Sequence, residues 1–284
     1  MYSSNNFIYE KIDVIVRPAK TVYIIDDGST KILNLTNGAG EYSIVQKYSN
    51  SDPTQNLPNK ATAYSAIALG KGSEANAYRA VAMGLQVVVN GDSSLGTGQL
   101  TINNASGSFV TGNNVLNNGA YALVGGQYVI NGNEALDQNG WRSIVGGLKI
   151  WNEGQNSIVS GVGITDTINN FVEPSNEGDN SVVSGERTRN TKKNSIIVGL
   201  ELRNTNNRNM ALFGKYNADK SGLLMSIGNG FDDNNRSNAF EVLDDGRAKV
   251  YGAPEDNSDV VRKIDLQNAI QNAVDKLPKF VRLI

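Results

Sequence analysis

Short apolar runs of one shape recur along the middle of the chain. The run Ala66–Gly70 (AIALG) returns 14 residues later as Ala80–Gly84 (AVAMG), and weaker copies keep this spacing as far as Ala122–Gly126. Further copies begin after spacings of 21, 14, 24, 14 and 15 residues, at Ser143, Ser157, Ser181, Ser195 and Met210. Each copy has five positions in the order small or polar residue, apolar residue, apolar residue, small residue and glycine. This order is typical of a short strand that ends in a tight turn. A fixed period predicts a stack of repeated coils.

The repeat predicts an all-β fold, a parallel β-roll or β-solenoid of about ten 14-residue coils. Neighbouring side chains of a strand point to opposite faces, so pairs such as Ile158 and Val159 indicate that one face fills the coil and the other needs a partner. We expect a homotrimer, although the pattern itself requires only an oligomer. The residues predicted to form the coil core and the trimer seam are Ile67, Leu69, Val81, Met83, Ile144, Ile158, Val182 and Ile196.

The two ends of the chain lack this repeat. Residues 1–60 are predicted to be a small β module with a hairpin and a linker. Residues 61–215 form the predicted shaft. Residues 216–284 are predicted to contain a second hairpin around Asp244-Asp245-Gly246 and a short helix.

The predicted C-terminal helix begins near Asp259, which can cap it, and ends at Pro278. Leu266, Ile270 and Leu277 fall on one side of it, with Ala273 between them. This spacing favours two alternatives equally: a short trimeric coiled coil with these residues at its seam, or an amphipathic helix docked on the hairpin.

Composition narrows the range of functions. The chain has 284 residues, 30 of them glycine, only 7% aromatic residues, and a formal charge of −2. We therefore expect no nucleic-acid partner. The absence of cysteine and histidine removes disulfides, thiol nucleophiles, Cys/His zinc sites and the Ser-His-Asp triad. No signal-peptide pattern and no long apolar run are present, so we expect synthesis in a host cytoplasm and no membrane insertion.

We expect no enzyme, no metal and no cofactor. Carboxylates cluster at Glu173, Glu177 and Asp179 and at Asp232-Asp233, as in a polysaccharide-degrading tailspike, but aromatic subsites do not surround them. The loops Asp26–Ser29 and Asp232–Asn235 lack the acidic spacing of a calcium loop. A basic run at Arg187, Arg189, Lys192 and Lys193 is interpreted as a solvated face rather than a site for anionic glycans.

Two insertions, Gln127–Arg142 and Val162–Asn180, are the predicted places for a binding surface, because inserted loops project from a solenoid. Exposed aromatic rings stack on sugars and anchor protein partners. The candidate receptor contacts are Tyr128, Trp141, Trp151 and Phe171, with coverage of the coil ends or the trimer seam as the alternative role.

Two segments resemble known families. Ala63–Gly84 is similar to the 14-residue head repeat of trimeric autotransporter adhesins, which implies a left-handed parallel β-roll in a trimer. Residues 214–265 resemble the distal part of tail-fibre and tail-collar proteins of bacteriophages, which implies a trimeric virion component, often one that recognises the host. No self-cleaving chaperone domain follows, so that processing activity is not expected. An autotransporter would need a signal peptide and a membrane barrel, which disfavours a bacterial adhesin.

The sequence thus predicts a phage virion fibre protein that attaches to the host surface, a glycan or a protein, with residues 1–60 as the candidate for attachment to the virion. The alternative is a structural virion part, such as a head fibre, collar or fibre adaptor, whose partners are other virion proteins.

Overall fold

A computed structural model describes residues 22–24, 33–46, 57–133, 139–163, 175–256 and 259–277. It confirms a mostly β chain with about eleven stacked parallel coils and one short C-terminal helix. Elements are numbered in chain order. The Asp26–Ser29 loop, Phe171, Glu173 and Pro278 lie outside the described residues.

Most coils place one strand on each of two faces. The strands of face A are β3 (Ile44–Gln46), β5 (Ile67–Lys71), β7 (Val81–Leu85), β12 (Ile144–Leu148), β14 (Ile158–Val162), β15 (Val182–Glu186), β17 (Ile196–Leu200), β19 (Ala211–Lys215) and β20 (Leu223–Asn229). The strands of face B are β4 (Lys60–Ala61), β6 (Glu74–Ala75), β8 (Val88–Val89), β13 (Trp151–Asn152), β16 (Arg189–Asn190) and β18 (Arg203–Asn204). Three longer strands contribute to both faces: β9 (Leu95–Asn103), β10 (Phe109–Asn117) and β11 (Leu123–Asn131).

The parallel pairing follows the repeat of the sequence. Val81 pairs with Ile67 and Leu95, one coil away on each side. The two longer intervals keep the register, since Leu123 pairs with Ile144 and Ile158 pairs with Val182. The inserted residues therefore leave the strand stack unchanged, as the sequence analysis predicts.

The recurring glycine marks a close approach of successive backbones. Gly161 has a φ of +114°, and a Cβ atom there would lie 1.9 Å from the carbonyl oxygen of Gly185. Only glycine permits both the conformation and the contact. The sequence ends every strand run with glycine for this reason.

The Asn-Ser pairs that open the later strands have a local explanation. Asn156, Asn180 and Asn194 adopt left-handed φ values of +49°, +54° and +58°, which asparagine tolerates better than most residues. The serine that follows is buried, and its Oγ accepts the backbone N–H of the serine in the next coil, as Ser157 does from Ser181 (3.3 Å).

The core lies between the two faces. Face A contributes residues such as Val145, Val159 and Val183, and face B contributes Val115 and Val129, all at most 2% exposed. The eight residues predicted as core and seam are the neighbours of these positions, and all point away from the coil interior. Within a single chain they do not fill the coil.

Antiparallel hairpins continue the sheet at both ends. At the N-terminal end β1 (Val22–Ile24) pairs with β2 (Leu33–Asn37), as the hairpin prediction requires, and β2 pairs with β3. At the other end β20 pairs with β21 (Asn238–Leu243), which pairs with β22 (Ala248–Val250), the second predicted hairpin. Because β3 and β20 are also parallel partners of β5 and β19, the parallel stack extends beyond the predicted shaft of residues 61–215 on both sides.

The C-terminal helix begins later than predicted. Helix α1 spans Lys263–Asp275, and Asp259 does not cap it. Asp259 instead accepts the backbone N–H groups of Glu255 and Asp256 at 2.7 and 3.2 Å. Asp265, in the first turn, accepts the N–H of Arg262 at 3.1 Å and binds its guanidinium, so these two residues fix the start of the helix.

Candidate functional site

The outward side of face A presents an apolar row along the stack. One residue per coil contributes, and the most exposed members are Ile144 at 51%, Ile196 at 48%, and Leu123 and Ile158 at 47% each. Monomeric proteins rarely expose a contiguous apolar patch of more than a few hundred Å². This row is named the seam row, and its members are Ile44, Ile67, Val81, Leu95, Phe109, Leu123, Ile144, Ile158, Val182, Ile196, Ala211 and Met225.

The seam row follows from the order of residues within each repeat. Where two apolar residues stand side by side, the second enters the coil and the first points out, so Val159 is 1% exposed and Ile158 is not buried. The next outward position carries small or hydroxyl residues in the middle of the stack, where Thr97 donates to Thr111 and Ser160 to Ser184 across neighbouring coils. A flat surface with an apolar row results.

The structure does not bring the predicted receptor contacts together. Tyr128 lies at the corner that follows face A, Trp151 lies on face B, and Trp141 lies at the turn that leads back to face A. All three are half-buried, and their role in receptor binding stays a prediction. Ring contacts instead join Tyr42, Tyr64 and Tyr78 near the start of the stack, with centroids 5.4 Å apart at each step.

A column of buried asparagines runs through the coils, and sequence reasoning missed it. From Asn117 onward, each side-chain amide donates to the amide oxygen of the asparagine in the preceding coil at 2.7 to 3.0 Å. These residues are 0% exposed: Asn103, Asn117, Asn131, Asn152, Asn176, Asn190 and Asn204. Their separations of 14, 21 and 24 residues are those of the strand repeat, so a search for polar residues at the same period would have found them.

A buried carboxylate joins the C-terminal hairpin to the last coils. Glu241 is 1% exposed and accepts hydrogen bonds from Lys220 Nζ at 2.6 Å, Asn238 Nδ2 at 2.7 Å and the Tyr251 hydroxyl at 2.5 Å. Burial acts to raise the pKa of Glu241, but these hydrogen bonds and the Lys220 charge outweigh it and lower the pKa below the usual glutamate value. The ionised form therefore holds the hairpin in place.

Charged residues that the sequence groups together form ion pairs between neighbouring coils. Lys193 Nζ lies 2.5 Å from Asp179, Arg189 lies 3.4 Å from Glu177, and Arg187 Nε lies 2.8 Å from Glu201. Two cations of the basic run thus pair with carboxylates of the second insertion, and Arg187 pairs with Glu201 of the next coil.

Two other carboxylates have distinct surroundings. Burial and the negative charge of Glu177 raise the pKa of Glu153, and a hydrogen bond from Asn133 partly offsets this rise. Asp232 accepts the backbone N–H groups of Asn234 and Asn235, both at 2.9 Å, which is an ordinary turn.

Within the described ranges, no group of three or more His, Cys, Asp or Glu side chains is arranged to hold a metal ion. In the same ranges, no helix has the length and apolar character required to cross a bilayer. The chain matches no protein-family model and no curated protein.

Proposed function

We propose that this chain is a homotrimeric fibre protein of a bacteriophage particle and that it attaches the particle to the host surface. The observation that carries the proposal is the seam row, an apolar surface that runs along the stack of coils and that the described residues of its own chain leave partly exposed. Two further copies would cover it around a common axis. Identical chains favour such closed symmetric assemblies.

The C-terminal helix supports the same assembly. Helix α1 has no buried residue, and Leu266, Ile270 and Leu277 are 55%, 54% and 45% exposed. An isolated helix of 13 residues is marginal in water, so a partner is needed for it to persist. Of the two arrangements that the sequence allows, a three-helix seam gives these side chains a partner, whereas the hairpin of the same chain leaves them exposed.

The proposed mechanism is multivalent attachment. A stack of rigid coils holds three copies of every surface feature at fixed positions, and several fibres on one particle multiply weak contacts into strong binding. The resemblances of Ala63–Gly84 to adhesin head repeats and of residues 214–265 to phage fibre proteins agree with this role. A head fibre, collar or fibre adaptor would share the shaft but would bind only virion proteins.

Native mass and cell binding test the proposal together. The purified chain, with a monomer mass of 30.5 kDa, is measured by light scattering, and we expect three chains per particle. The labelled trimer is then incubated with host bacteria. A stable monomer would refute the fibre assembly, and a trimer that fails to bind host cells would assign the chain to the structural virion parts.

A further inference from the structure

Face B carries a second apolar row that the proposed trimer leaves uncovered. Five successive coils each contribute one outward side chain to this row of face B, in the order Val88, Ile102, Leu116, Ile130 and Trp151. The strands pair in parallel register, so these side chains stand one above another. Faces A and B lie on opposite sides of the core, and a seam at face A therefore leaves face B at the outside of the fibre.

Side-chain amides border this row on one side. Asn76 donates to Asn90 at 3.0 Å, Asn90 to Asn104 at 2.9 Å, and Asn104 to Asn118 at 2.9 Å. A side-chain amide has two N–H donors and two acceptor lone pairs, and the ladder uses one of each. The remaining donors and acceptors line the edge of the apolar row. At the opposite corner stand Leu100, Asn114 and Tyr128.

The middle of this row, at Ile102, Leu116 and Ile130, lies in a stretch of the chain without charged residues, whereas Trp151 at its end stands between Lys149 and Glu153 in the sequence. Residues 93–133 contain no Asp, Glu, Lys or Arg, although charged residues make up 19% of the chain. The same outward row of face B becomes charged on either side, with the Lys60–Glu74 ion pair before it and Arg189, paired with Glu177, after it. The apolar row of face B and its amide border are named the neutral band.

We infer that the neutral band binds an uncharged polysaccharide along the stack, which adds a ligand class to the proposed attachment function and rests on it. A sugar ring has an apolar C–H face and a rim of hydroxyl groups. The aliphatic and aromatic row suits the ring faces, and the amides suit the hydroxyls. A linear polymer also repeats, as the coils do. A charged polymer would gain no ion pair here and would lose hydration.

Affinity electrophoresis of the full-length trimer tests this inference. Native gels contain galactomannan, hydroxyethyl cellulose or dextran as neutral probes, and dextran sulfate as the anionic probe. We expect at least one neutral polymer to retard the protein and dextran sulfate to leave it unaffected. Retardation by dextran sulfate alone, or by none of the four, would overturn the inference.

Variants locate the site. Trp151→Ala removes the largest ring of the row and Leu116→Asp places a charge in its centre, so each should weaken binding about tenfold or more. Tyr78→Ala lies on the separate tyrosine stack and should bind as the unmodified chain does. Equal loss in Tyr78→Ala, or full binding by Leu116→Asp, would contradict the assignment to face B.

The mass of each variant separates the possible failures. A trimer that binds no neutral polymer refutes the inference and leaves the fibre assembly standing, whereas a monomer refutes the fibre assembly itself. If the unmodified chain associates beyond three copies and Leu116→Asp abolishes this association, face B binds another fibre. That outcome also overturns the inference.

Discussion

At the scale of single residues, the buried asparagine column is the feature on which the coils most depend. Asn176 illustrates its chemistry: its amide nitrogen donates to Asn152 and to the carbonyl of Gly178, and its oxygen accepts from Asn190 and from the N–H of Gly178. A buried polar group is stable only when all such partners are present. The column thus satisfies backbone groups of the turns and links successive coils with the same atoms.

Replacing Asn176 by alanine should destabilise the chain by at least about 2 kcal/mol, because it leaves the buried amides of Asn152 and Asn190 without one partner each. Asn76→Ala is the matched control, since Asn76 belongs to the exposed ladder, and should cost under about 1 kcal/mol. Denaturant midpoints of the two variants give the comparison. Similar losses of unfolding free energy in the two variants would show that the buried column contributes no more to stability than the exposed ladder.

At the scale of elements, the C-terminal hairpin and helix are the parts whose stability depends on specific contacts. Glu241 joins the hairpin to Lys220 of the last coils, and a hydrogen bond from Arg262 to the carbonyl of Tyr251 at 2.9 Å joins the start of the helix to the hairpin. Both elements should therefore respond to changes that leave the coils intact.

Acid should loosen the hairpin through Glu241. The pKa of Glu241 is lower in the folded chain than in an unfolded one, so its contribution to stability is complete above the ordinary glutamate pKa of about 4.3 and is lost as the pH falls through the lower folded value. Hydrogen exchange of residues 238–250 is measured at neutral and acidic pH, each rate is compared with the intrinsic amide rate at the same pH, and we expect lower protection in acid.

The variant Glu241→Gln should exchange faster at neutral pH and show a smaller further change in acid, since it has no charge to lose. Glu255→Gln alters an exposed glutamate and should keep the pH response of the unmodified chain. An unchanged acid response in Glu241→Gln would place the sensitive group elsewhere.

A charge on the helix seam should melt helix α1. Ile270→Asp places a carboxylate where the proposed three-helix seam would bury it, and we expect the helical signal in circular dichroism to fall while the β signal persists. Asn272→Asp introduces the same residue on the opposite side of the helix and should leave the signal unchanged. Equal helicity in both variants would argue against a seam at Ile270.

At the scale of the whole molecule, every coil of the stack presents the same outward apolar position, which a partner chain would cover. Because the seam row repeats in each coil, contacts between chains would add up along the fibre, and a single polar substitution should weaken the assembly without unfolding a coil. The distribution of charge adds a second large-scale feature, since ion pairs such as Lys193–Asp179 and Arg187–Glu201 join coils after Asn133, whereas residues 93–133 contain no charged side chain.

Ile158→Asp should shift the proposed trimer toward smaller species, because three carboxylates would meet at the apolar seam. Sedimentation or light scattering over a range of concentrations measures this shift. Ser106→Asp is the control, at an exposed turn where the preceding coil already carries Asp92, and should keep the mass of the unmodified chain. A full trimer of Ile158→Asp would move the contact surface away from face A.

The sequence by itself determined the coils. Glycine and asparagine at a fixed period impose turns with left-handed backbone, and the short apolar runs between them can only be strands, so the coil length, the strands of face A, the places of the insertions and both hairpins follow from local preferences. The outward apolar residues could also be recognised from the sequence, because most of them stand next to a second apolar residue in their strand.

Only the tertiary structure decided which member of each pair enters the coil, how the asparagines join, and where the aromatic residues lie. Each of these depends on contacts between residues 14 or more apart, which no local preference specifies. The helix began four residues after Asp259 because Asp265 and Arg262 pair with each other. The dispersal of Tyr128, Trp141 and Trp151 over different sides, and the neutral surface of face B, likewise appear only when successive coils are stacked in register.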